Sequence, residues 1–186
     1  MIYICPLWAY VYHVICFFYY LIKDNEGLCM DKIKLSSFKS GDLIAKSGTS
    51  FLAKVVRLFT LSDFSHVGIV IVEEDGVYVV EAARPEVRKT PIEEMIPFYH
   101  IPMMIDRVDP VLKANLESHL GSKYSMFQAA ISFIGIHIPD DKWYCTELAY
   151  DFYSRAGFHF KEKLTPTKFV REALNVHGIL KYIARR

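Results

Sequence analysis

Residues 142–157, KWYCTELAYDFYSRAG, read as one amphipathic helix with a cysteine in its first turn. Leu148, Ala149, Phe152 and Ala156 recur at three- and four-residue steps and so share a buried stripe. Cys145 lies on that stripe, one turn earlier. Asp140, Asp141 and Glu147 place negative charge at the helix start, while Arg155 and then Gly157 mark its end. The unpaired N–H groups of a helix N-terminus stabilise an anion, and thiolate is the nucleophilic form of a cysteine. The same amides suit an oxyanion on a carbonyl under attack. The plain alternative is a small core residue, the commoner fate of a lone buried cysteine.

Nucleophilic chemistry also needs a base, and the search for one leads upstream. Ser62-Asp63-Phe64-Ser65 runs into His66-Val67-Gly68-Ile69-Val70-Ile71-Val72, an apolar, β-branched stretch. Glu73-Glu74-Asp75-Gly76 forms a turn, and Val77-Tyr78-Val79-Val80-Glu81-Ala82 returns as the second strand of a hairpin. Closing the pair on Val72 and Val77 sets Glu81 opposite Gly68 and His66 opposite Ala83. His66 and Glu81 then become diagonal neighbours on one face. A slip of one residue would part them. An imidazole oriented by a carboxylate leaves its second nitrogen to take a proton from a thiol. A strand-edge histidine beside a surface glutamate is the ordinary alternative.

Asp63 to Ile69, Val79 to Ala82 and Trp143 to Leu148 together resemble the circularly permuted papain-like thiol hydrolases. The group is NlpC-related, and its YiiX-like branch, itself similar to a poxvirus family, is nearest. The histidine precedes the cysteine, as in the permuted forms. Gly41-Asp42-Leu43-Ile44, Gly121-Ser122-Lys123-Tyr124, and Thr165-Pro166 with Phe169 add to the likeness, which spans about residues 40 to 170. The resemblance implies Cys145 as nucleophile, His66 as base and Glu81 as the orienting third residue. It also implies an α+β papain-like fold with an antiparallel sheet packed against the Cys145 helix. The expected reaction is thiolate attack on a carbonyl through an acyl-enzyme, with amide cleavage in a peptide or peptidoglycan-like substrate. A likeness to the lecithin-retinol acyltransferase group makes a lipid acyltransferase or thiol lipase the rival. A non-catalytic binding module that kept the fold is a third reading.

Composition narrows the remaining possibilities. A chain of 186 residues with net charge +1 has no polyelectrolyte character, so no nucleic-acid partner is expected. Cys5, Cys16, Cys29 and Cys145 show no metal-ligand spacing and no disulfide framework. No cofactor or metal is called for, and a reduced, intracellular setting is the simpler inference. Ile2 to Ile22 holds no charged residue and is long enough to cross a bilayer. Residues 1–29 therefore read as a hydrophobic segment, with residues 2–22 a possible membrane helix, followed by a domain over 30–186. Lys23, Lys32, Lys34 and Lys39 follow it, which places the domain on the cytoplasmic side. A start at Met30 would instead give a soluble cytoplasmic protein.

Further elements follow from pattern. Asp42 to Ala45 is a strand, Phe51 to Leu61 a helix, and Tyr99 to Val108 a strand. Arg84 to Thr90 reads as a basic, polar connection, with a helix starting at Pro91. Leu112–Leu120, Ser125–Ile136 and Lys168–Leu174 read as helices. His100, His119, His137, His159 and His177 show no paired spacing and read as surface or structural residues.

Overall fold

Short β-branched runs that alternate between two buried faces pair here into a six-stranded antiparallel sheet. The strands are β1 (Leu43–Lys46), β2 (His66–Val72), β3 (Val77–Ala82), β4 (Val87–Pro91), β5 (Phe98–Ile101) and β6 (Lys181–Ile183), in the spatial order β4-β3-β2-β1-β5-β6. Among the described residues four α-helices accompany them: α1 (Pro110–Ser118), α2 (Met126–Ile131), α3 (Cys145–Arg155) and α4 (Pro166–His177). This computed structural model describes residues 35–47, 63–103, 108–131, 141–160, 165–177 and 181–183. All of them belong to a unit spanning Lys34–Arg185. The apolar helix expected over 2–22 and the helix expected over Phe51–Leu61 lie outside the described residues. Among the described residues, no helix is long and apolar enough to cross a membrane.

The β2–β3 hairpin has the expected register, with Val72 facing Val77 and Ile69 facing Val80. Val67, Ile69, Ile71, Val80 and Ala82 look into the core, where they meet Leu148, Ala149 and Phe152 of α3. Tyr153, which the periodicity left out, is fully buried as well. Its ring lies within 6.0 Å of Phe158, Phe160 and Phe169, and its hydroxyl donates to the Gly41 carbonyl at 3.0 Å. Phe169, on α4, therefore ties the C-terminal helix to the helix that carries the cysteine.

Three sequence expectations need correction. Residues 87–91 form β4 rather than part of a polar connection, because only Val87 and Thr90 turn inward while Arg88 and Lys89 hide the alternation. The strand expected over Tyr99–Val108 is β5, which ends at Ile101. The helix expected from Pro91 is a single 3-10 turn, Ile92–Met95. His100, read as surface or structural, is buried beside Asp42, its Nε2 2.7 Å from Oδ2, under the Phe38 ring. That pair, with the Met103 N–H donating to Asp42 Oδ1 at 3.2 Å, locks β1 to the end of β5.

Candidate active site

Helix α3 begins at Cys145 itself. Tyr144 precedes it in extended backbone and offers no side-chain cap, so the cysteine sits among the first-turn N–H groups. Its position is set by a short ladder. Tyr124 N–H donates to the Pro85 carbonyl at 2.9 Å, Trp143 N–H to Lys123 at 2.9 Å, and Ser125 N–H to Trp143 at 2.8 Å. These bonds fasten the strand-like segment before α3 to the β3–β4 connection. Cys145 is buried and carries a free thiol.

His66 opens β2 and is anchored from both sides. Ser65 N–H donates to the Lys46 carbonyl at 2.9 Å, and Phe64 N–H donates to Thr167 Oγ1 of α4 at 2.9 Å. The His66 Nε2 lies 2.6 Å from Glu81 Oε2, and Cys145 is near enough for its side chain to act on the same ring. With Nε2 turned to the carboxylate, Nδ1 is the nitrogen left for the sulfur. Burial alone would depress the imidazole, but the hydrogen bonds and charges of Cys145 and Glu81 outweigh it and hold the ring at about 9. At neutral pH the ring therefore carries its proton.

Glu81 is itself held by three donors. Arg88 Nε reaches Oε1 at 2.9 Å and Thr90 Oγ1 reaches the same oxygen at 3.0 Å, while Oε2 faces His66. Burial pushes this carboxyl up, yet the His66 and Arg88 charges and hydrogen bonds dominate and hold it down at about 2. Gly68 is what lets β3 approach so closely. A Cβ there would fall 2.6 Å from Val79 Cγ1 and 3.5 Å from Glu81 Cβ.

The structure thus brings together all three side chains singled out in the sequence. It also adds residues that received no role there. Arg88 and Thr90 lay in the stretch read as a connection, and nothing local tied them to Glu81. Tyr124 belongs to the Gly121–Tyr124 motif. Its phenol is raised by burial and by the charge of Cys145, against the opposing charge of Arg84, which places it in the field of the sulfur. Among the described residues no three His, Cys, Asp or Glu side chains gather as a metal site.

Comparisons with known proteins bear on the family and the fold. A family model for permuted papain-like amidase enzymes (YaeF/YiiX, C92 family) matches residues 37–176. The uncharacterized protein YiiX of Escherichia coli K12 is 26% identical over 145 residues, covering 77% of this chain and 71% of YiiX. The crystal structure of yiiX from Escherichia coli O157:H7, described as a metalloprotein, aligns with a TM-score of 0.54 at 20% identity. That alignment covers 80% of this chain and 97% of the other, and at such identity it speaks for the fold. Because the family model spans most of the chain, from before β1 into α4, the protein belongs to the permuted papain-like amidases of the YaeF/YiiX type.

Proposed function

We propose that the protein is a cysteine amidase in which Cys145 is the nucleophile, His66 the proton carrier and Glu81 the residue that orients the ring. The observation that carries this reading is one imidazole held at 2.6 Å by a buried carboxylate, with the buried free thiol at a helix N-terminus acting on the same ring. In the first step the thiol proton resides on His66 and the sulfur attacks the amide carbon. The tetrahedral oxyanion forms beside the first-turn N–H groups of α3. Collapse breaks the C–N bond, and His66 gives its proton to the departing amine, leaving a thioester on Cys145. Water then attacks the thioester while His66 accepts its proton. That proton returns to the sulfur as the acid product leaves. Glu81 keeps its charge throughout and stabilises the imidazolium.

The substrate class that fits best is an amide in a peptide or peptidoglycan-like molecule, following the family's amidase character. Residues 2–22 would serve as a membrane tether for this domain. The tests are alkylation of Cys145 by iodoacetamide and, on separate unalkylated protein, intact mass after incubation with cell-wall peptide fragments or with a lipid extract. Rapid alkylation that falls at least ~100-fold in His66→Ala is expected, with transient peptide acylation of Cys145. Equal alkylation in both proteins would remove His66 from its role. A fatty-acyl mass shift would assign the site to lipid acyl transfer instead.

A further inference from the structure

Beside His66 lies a cavity of about 510 Å³ whose walls include Lys46, His66, Glu81, Arg88, Lys89 and Glu94. Its charges are not balanced. Glu81 is engaged by His66 and Arg88, and Lys89 is paired with Glu73. Glu94 is exposed, on the 3-10 turn after β4. Lys46 is the remaining cation. It ends β1 directly opposite His66, is half-buried, and makes no ion pair with any described residue. Burial pulls its ammonium down, the Glu81 charge acts against that, and Arg88 adds to the depression. Arg88 spends its Nε on Glu81 and lines the cavity with about half of its side chain exposed. A half-buried ammonium beside a second cation is costly unless an anion joins them. A guanidinium and an ammonium lining one cavity match the oxygens of a carboxylate or a phosphate.

We propose that Lys46 and Arg88 form an anion subsite next to the imidazole, so that the substrate carries a carboxylate or phosphate close to the bond that is cleaved. The proposal rests on the amidase reading for its meaning, but the subsite itself binds without any reaction. Calorimetric titration of the full-length protein with N-acetylglutamate, with its neutral counterpart N-acetylglutaminamide, and with methyl phosphate tests it directly. One of the anions is expected to bind at least ~10-fold more tightly than the neutral amide, from the strength of charge-assisted pairs. That preference should vanish in Lys46→Met and persist in Lys46→Arg. A carboxylate preference points to an acidic peptide-type substrate, and a phosphate preference to a phosphorylated headgroup. Equal binding of all three probes, or an unchanged preference in Lys46→Met, would overturn the subsite. Iodoacetamide alkylation of Cys145 in the same samples separates the two ideas. Anion preference with an inert thiol sinks the amidase reading alone, whereas a reactive thiol without anion preference sinks the subsite alone.

Discussion

His66 links two opposite pH responses. Its folded-state proton affinity is raised from 6.5 to about 9, so its contribution to stability is complete below about 6.5 and is lost as the pH climbs through 9. Glu81 is lowered from 4.5 to about 2, so its contribution is complete above 4.5 and is lost as the pH falls through 2. The two share the His66–Glu81 ion pair, so their energies do not add in full. Urea denaturation should therefore show greatest stability between about 4.5 and 6.5, with about 3 kcal/mol drained away by the alkaline limb near 9. In His66→Gln that limb should flatten. An alkaline limb of equal size in the variant would show that other groups cause it. His66 and Glu81 were legible as partners because a hairpin with a short turn fixes its own register. Arg88 and Thr90 were not, since their side chains meet Glu81 only through the pairing of β3 with β4.

At the scale of elements, the β2–β3 pair is the rigid part of the site, and Gly68 is its tightest point. Gly68→Ala forces a methyl group to within 2.6 Å of Val79 Cγ1, on the face that carries Glu81. Overpacking of this kind costs about 1–3 kcal/mol. The variant should unfold at lower urea, and Cys145 alkylation should slow as Glu81 is pushed off the His66 ring. A variant as stable and as reactive as the parent would show that the strands can separate freely. Helix α3 was legible from its stripe, its charges and its terminal glycine. Gly157 does adopt a left-handed φ of 88°, and the Phe158 N–H closes back on the Tyr153 carbonyl at 2.9 Å. Tyr153 escaped that reading because its buried partners, Phe158, Phe160 and Phe169, come from beyond the helix. A periodic pattern marks a face but not the elements that cover it.

For the whole molecule, the catalytic proposal concerns the unit Lys34–Arg185, whereas the tether proposal concerns residues 2–22. The two separate cleanly in experiment. The full-length chain should sediment with membranes and resist carbonate washing, while a chain starting at Met30 should stay in the supernatant with its thiol reactivity intact. Recovery of both proteins in the supernatant would remove the tether. Equal membrane retention of both would move it into the domain. Within the domain, the permuted order matters physically. His66 arrives on a hairpin that pairs locally, and Cys145 arrives later on a helix that packs across β2 and β3.

The amino-acid sequence by itself determined the local matters: the β2–β3 hairpin, the buried stripe of the cysteine helix, and the register that makes His66 and Glu81 neighbours. Apolar periodicity and turn length act over a few residues, so a linear reading captures them. Only the tertiary structure decided what surrounds that pair. The strand order β4-β3-β2-β1-β5-β6 sets Arg88 and Thr90 on Glu81 and Lys46 opposite His66, and the segment around Tyr124 carries Cys145 to the ring. Alternation tells which side of a sheet a residue faces, but strand partners distant in the chain are chosen by the packing of the whole core.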